Sequence, residues 1–224
     1  MKIRLLFVLF CICILFSACN NATKNENSNI NSKVNNISSA VISSKVNSSS
    51  ISSVAVSSSL DEVNKIIYQA KENYYATKYN EAIKLCDSAL ELDQNSYEAY
   101  TVKGISLSRL YRLTEGEKLL KKALEIKSDY TYGIYSMAMY YKIKGDKDKC
   151  LEWFYKALET DENDVWSIYG AATIYADRYE VDKALEMLER SIKLEPEIKK
   201  IAQQQYALHW EKFRNNEKFI ELVN

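Results

Sequence analysis

The stretch Tyr97–Tyr130, YEAYTVKGISLSRLYRLTEGEKLLKKALEIKSDY, runs without a gap into Thr131–Asp164, TYGIYSMAMYYKIKGDKDKCLEWFYKALETDEND. Superposed at an offset of 34 residues, the two place small and large side chains in the same columns. Val63–Ser96 before them and Val165–Ile198 after them continue the register. Three columns are small throughout: Ala70, Gly104, Ala138 and Ala172; Ala82, Gly116, Cys150 and Ala184; Ala89, Ala123, Ala157 and Ser191. Others are large, such as Ile66, Tyr100, Ile134 and Ile168, or Leu90, Leu124, Leu158 and Ile192. Small residues let helices approach closely while large ones fill the grooves beside the contact. Each unit therefore reads as two helices joined by a turn, and its apolar face is buried only when neighbouring units stack.

The period and the columns resemble the tetratricopeptide repeat, whose pattern is W-x2-L-G-x2-Y, then A-x3-F, then P. Unit two keeps Gly104, unit three Tyr141 and Phe154, and unit four Tyr175, Ala184 and Pro196. Ile or Tyr stands in place of the family Trp in every unit, and only the last unit has the Pro. The resemblance covers Val63–Ile198. It implies an all-α, right-handed superhelical solenoid of four helix hairpins (63–96, 97–130, 131–164, 165–198) with a C-terminal capping helix, in a protein that binds rather than catalyses.

Local signals mark the boundaries. Ser59-Leu60-Asp61-Glu62 matches a capping box and predicts a helix start there, so the folded region is taken as 59–198 plus a cap. Ser96 and Asp164 fall where units two and four need N-caps, and Gly145-Asp146 marks a turn inside unit three. Beyond Ile198, Lys199–Arg214 predicts one further helix and Glu217–Val223 a short closing one, together a cap over 199–224. Gln203, Gln204, Gln205 and Glu211 suit the polar outer face of that cap.

The first 58 residues are of another kind. Lys2 and Arg4 precede an apolar run from Leu5 to Phe16, then Ser17-Ala18-Cys19, which reads as a secretory signal over 1–18. The run is well short of the ~20 residues a spanning helix needs. Phe16-Ser17-Ala18-Cys19 resembles the bacterial lipoprotein signal, in which the Cys becomes the acylated first residue of the mature chain. That resemblance implies lipidation of Cys19 and a chain held at the outer face of a bacterial cell membrane; the alternative is an ordinary cleaved signal. Residues 19–58 are dominated by Ser and Asn with no helical period, predicting a disordered tether whose r.m.s. reach is ~35 Å.

Composition narrows the function class. Thirty basic and thirty acidic residues balance, with no basic stripe, which argues against a nucleic-acid partner. One histidine, His209, has no second His or thiol at triad or metal spacing. Cys86 and Cys150 occupy packed columns in non-adjacent units and read as buried thiols. No cofactor, metal site or enzyme is expected.

In the related fold the first helices of successive units line a concave face where ligands lie. The inward columns predict a binding surface of Tyr75, Arg109, Tyr132, Tyr135, Met139, Trp166 and Tyr169, with Tyr74, Thr101, Ile105 and Thr173 among them. Tyr132 shares a column with Trp166, and Tyr135 with Tyr169, so the face reads as an aromatic wall. The alternative is that these rings fill gaps between units. The family's chaperone-binding clamp of Lys, Arg and Asn falls on Ile67, Lys71, Val102, Tyr132 and Ser136 here, only one of them basic, which disfavours that role. The expected function is a membrane-tethered scaffold for a protein or peptide; a glycan- or peptidoglycan-fragment receptor is the alternative.

Overall fold

Ten α-helices follow one another in the computed structural model, which describes the backbone of residues 48–224 and the side chains of 60–224. They are α1 (Ser48–Tyr75), α2 (Tyr79–Leu92), α3 (Tyr97–Arg109), α4 (Leu113–Ile126) and α5 (Thr131–Lys144). Next come α6 (Lys147–Thr160), α7 (Val165–Asp177), α8 (Val181–Leu194), α9 (Ile198–Gln204) and α10 (Glu217–Val223). No strand occurs among the described residues. From α2 onward the second helices begin at 79, 113, 147 and 181, and the first helices α3, α5 and α7 at 97, 131 and 165. That is the 34-residue period made physical.

The helix boundaries have local causes. Ser96 Oγ accepts from the Ala99 amide at 3.3 Å, and an Asp164 carboxylate oxygen accepts from the Ser167 amide at 3.2 Å. Asp146 caps α6 and Asn216 caps α10 in the same way. Each such cap satisfies a backbone donor that the first turn leaves orphaned, worth about 1 kcal/mol. Among the described residues the chain reverses within each hairpin through one left-handed residue: Thr77, Tyr111, Gly145 and Tyr179, with φ of 61°, 59°, 86° and 60°. Only unit three places a glycine there.

At the N-terminal end the structure departs from the capping-box expectation. α1 is already helical at Ser48, so Ser59 lies inside a helix rather than at its start, and the backbone of 48–58 is helical rather than disordered. Once the turn near Val63 is nucleated, extending it backwards adds one hydrogen bond per residue, and serine opposes this only weakly. Residues 1–47, with Cys19 and most of the expected tether, lie outside the described residues.

Leu60–Asn224 forms one unit, in which α3, α5 and α7 each pack on their own second helix and on the second helix of the unit before. α3 also touches α5, and Lys142 of α5 bonds to Thr173 of α7, so these first helices follow one another on the same side. The apolar interior falls into two clusters. One gathers Val63, Ile67, Cys86, Ala89, Ala99 and Val102; the larger begins at Leu120 and runs through Phe154, Tyr175 and Leu188 to Val223. Between them unit two buries Thr101, Ser106 and Ser108, and α3 approaches α4 through Gly104 and Gly116. The buried hydroxyls bond back to their own helix, as Ser108 Oγ does to the Gly104 carbonyl at 2.8 Å.

Past α9 the single helix expected over 199–214 breaks. Gln205 ends α9, a π-helical turn carries Tyr206–Trp210, and a 3-10 turn carries Glu211–Phe213. Wide and tight turns in succession swing three aromatic rings inward. Trp210 stacks on Phe219 with centroids 5.3 Å apart and meets Phe213 edge-on at 5.4 Å. Burying such rings stabilises by about 1.5–3 kcal/mol each, more than the lost regular hydrogen bonds cost. His209 Nδ1, 2.7 Å from Asp177 Oδ1, fastens the same turn to the end of α7.

Candidate functional site

The site is built from the inner sides of α1, α3, α5 and α7. Four tyrosines from units one and three meet over unit two. Tyr132 and Tyr135 are stacked at 6.3 Å with planes 21° apart, and Tyr74 and Tyr75 meet edge-on at 5.3 Å. The Tyr75 and Tyr132 side chains are hydrogen-bonded to each other across that gap. Thr101 and Ile105, expected on the open face, are wholly buried as the floor of unit two. Burial raises the Tyr132 and Tyr135 hydroxyls above the ordinary tyrosine range, so they remain protonated donors. Tyr75 keeps 44% of its surface exposed.

Arg109, the last residue of α3, reaches into this group. Its Nε points at Tyr74 Oη at 3.4 Å, and Tyr79 and Tyr135 are within electrostatic reach. Lys142, in the last turn of α5, donates to Thr173 Oγ1 of α7 at 2.9 Å, and Thr173 passes its own proton to the Gly170 carbonyl at 2.7 Å. Burial pushes the Lys142 ammonium below the ordinary lysine range, and the Arg109 charge adds to that. Met139, half-buried one turn earlier, continues the same face. Trp166, at the start of α7, is 51% exposed.

One expected member is not on the open face. Tyr169 retains 4% of its surface, because the ring lies 6.5 Å from Trp210 and its hydroxyl donates to Gln205 Oε1 at 3.1 Å. The C-terminal turn has closed over it, and the same burial holds its hydroxyl up at about 12. Thr173 is buried as well. The rings therefore divide between the two readings. Tyr135 and Tyr132 are half-buried and pack on neighbours, Tyr135 also at 5.9 Å from Phe154, while Trp166 and Tyr75 are open. No ring contact joins Tyr132 to Trp166 or Tyr135 to Tyr169 among the described residues, so the aromatics do not stack from unit to unit along the column.

Lys142 was not read from the sequence. Its only signal is the column it shares with Tyr74 and Ser108, which a period of 34 residues exposes and a surface-lysine reading hides. Lys71, the single basic residue of the family clamp columns, is paired with Glu98 at 3.0 Å.

Other surface depressions are poorer candidates. One of about 410 Å³ beside Ile83 and Leu119 carries Lys103 with Asp87 and Arg112 with Glu115, charges already matched to each other. Another of about 590 Å³ lies by Tyr179, Lys212 and Arg214 on the C-terminal segment. Among the described residues no group of three or more His, Cys, Asp and Glu could hold a metal ion. No helix there is long and apolar enough to cross a membrane.

Comparison with known proteins agrees with this architecture. The tetratricopeptide repeat family profile matches residues 133–164. Tetratricopeptide repeat protein 37 of Xenopus laevis is 28% identical over 87 residues; the match covers 39% of this chain and 6% of that much longer protein. A thermophilic TPR protein of Thermus thermophilus superposes with a TM-score of 0.57 at 17% identity, over 71% of this chain and 94% of that one. PilW, a type IV pilus biogenesis factor, gives 0.57 at 18% identity over 72% and 77%. At such identities the likeness is one of fold. The chain carries a tetratricopeptide repeat at 133–164, and its described region is an all-helical solenoid of that class.

Proposed function

We propose that this chain is an exported, lipid-anchored scaffold whose solenoid holds a protein or peptide along its inner face. The fold is one that serves protein–protein interaction. The observation that carries the reading is the pairing of open aromatics, Trp166 and Tyr75, with half-buried donors, Arg109, Tyr135 and Lys142, on one side of the stack. Aromatic anchors beside polar donors are what a peptide backbone and its side chains need. A glycan receptor would use the same rings, but two cations on the face favour a charged peptide over neutral sugar.

Anchoring rests on the leader: basic Lys2 and Arg4, the apolar run to Phe16, and Cys19 at its foot. In this reading Cys19 is acylated and the chain sits on the outer face of a bacterial membrane, with no catalytic step of its own. Cys19→Ser is expected to release the chain from the membrane fraction; a chain that stays in that fraction unchanged refutes the anchor.

The groove is tested by affinity capture from detergent-solubilised envelope with the full chain, beside Tyr135→Ala and Trp166→Ala. A partner retained by the parent and lost from both variants, at unchanged helical circular dichroism, supports the reading. Identical partner sets for all three proteins refute it.

A further inference from the structure

We infer that Arg109 and Lys142 form a carboxylate-binding pair on the inner face, taking an acidic side chain of an extended peptide. The inference rests on the groove reading above and narrows it to a ligand chemistry.

Two half-buried cations stand at the ends of first helices that pack on one another, Arg109 closing α3 and Lys142 in the last turn of α5, and the Arg109 charge reaches Lys142. Among the described residues neither has a carboxylate within 4 Å; Arg109 meets Tyr74 Oη and Lys142 meets Thr173 Oγ1, both neutral oxygens. Their neighbours on the stack are different: Lys71 is paired with Glu98, Lys103 with Asp87, Arg178 with Asp148. The nearest acid on the inner face, Asp177, is engaged by His209 at 2.7 Å. Burial is the main cause that lowers the affinity of Lys142 for its proton; the Arg109 charge adds a smaller push the same way, and the Asp177 charge only partly offsets the two.

An incoming carboxylate relieves the repulsion between the two cations and completes both donors. The guanidinium has N–H groups beyond Nε, and the ammonium has two protons beyond the one given to Thr173. The protonated hydroxyl of Tyr135, close to Arg109, supplies a third donor. Charge-assisted hydrogen bonds of this kind are roughly twice as strong as neutral ones. Peptide rather than free anion is indicated by Met139 on the same helix face and Trp166 on the next, which offer apolar contact to residues flanking the acid.

The test titrates the full chain with acetyl-tetraglutamate amide, acetyl-tetraglutamine amide, acetyl-tetraglutamine with a free terminal carboxylate, and inorganic phosphate. Binding is read from Trp fluorescence and from calorimetry. The expected result is binding of the capped tetraglutamate, weakened about tenfold or more by Arg109→Gln and by Lys142→Met, restored by Lys142→Arg, and unchanged by Lys103→Gln. It should also weaken as salt shortens the screening length. Tetraglutamate binding that ignores both substitutions, or no binding at all, overturns the pair. Equal, variant-sensitive binding of the uncapped tetraglutamine overturns the side-chain source in favour of a chain terminus, and phosphate alone binding overturns the peptide. If the pair fails while Trp166→Ala still abolishes partner capture, only the carboxylate contact is lost and the groove remains.

Discussion

Gly116→Ala puts the interior of unit two to the test. The added Cβ would sit 2.3 Å from Ser108 Oγ and 2.7 Å from the Gly104 carbonyl oxygen. Both are far inside any real Cβ contact. Ser108 is fully buried and its hydroxyl is committed to that same carbonyl at 2.8 Å, so it has no empty rotamer to retreat to. The carbonyl belongs to the α3 backbone and moves only if α3 moves. Against this stands the gain from replacing a helical glycine, at most about 1 kcal/mol for Gly116 in the first turn of α4. Overpacking of this sort costs about 1–3 kcal/mol, and loss of the Ser108 bond adds about 1 kcal/mol. The net expectation is destabilisation by about 1–3 kcal/mol, lowering the midpoint by roughly 3–9 °C for a domain of this size. Thermal unfolding followed by circular dichroism measures it. Adding Ser108→Ala removes the hydroxyl clash but leaves the carbonyl, so it should recover only part of the loss. The other units place Ala82, Cys150 and Ala184 in this column opposite Ala70, Ala138 and Ala172, so they already accommodate a Cβ there. A midpoint equal to or above the parent's would refute the close approach of α3 and α4.

Three further substitutions or treatments have definite outcomes. Tyr111 is 77% exposed at φ 59°, and Tyr111→Gly should stabilise the chain by about 1 kcal/mol in urea unfolding by relieving a left-handed side-chain conformation; destabilisation would show that the ring is held by contacts. Burial opposes the Asp177 charge, but the His209 hydrogen bond outweighs it and the carboxyl titrates below its usual 3.8. Its stabilisation is therefore present above that value and lost as pH falls through the lower folded value. Amide exchange over 205–213 should accelerate only in that acid range, while Asp177→Asn should accelerate it at neutral pH as well; a variant indistinguishable from the parent refutes the tie. Burial lifts the Cys86 and Cys150 thiols to about 12, so a disulfide reagent at pH 8 should label neither until urea unfolds the chain, and rapid native labelling would contradict the packing.

The period was legible because small side chains at fixed intervals are demanded by helix contacts that recur in every unit. Ser96 and Asp164 announced helix starts, and Gly145-Asp146 a turn, through chemistry that acts within three residues. Ser59 misled because a capping pattern only permits a start, and here the helix continues through it. The break at Gln205 was not legible: it is set by Trp210 meeting Phe213 and Phe219 and, across a long stretch of sequence, Tyr169. The same long-range packing removed Tyr169 from the face. Lys142 was overlooked for the opposite reason, since a lysine reads as solvated until the next unit's Thr173 is seen to hold it.

The lapse between the two apolar clusters at unit two bears on how the stack yields. Hairpins communicate only through their neighbours, so a boundary where buried hydroxyls and close backbones share the interior with Ile105 and Leu107 transmits less cohesion than one filled with large apolar rings and Leu. The N-terminal block should fray ahead of the block anchored by Trp210. Breathing at that joint would open and close the tyrosine bridge, giving the inner wall an adjustable mouth at one end and a fixed stop at the other.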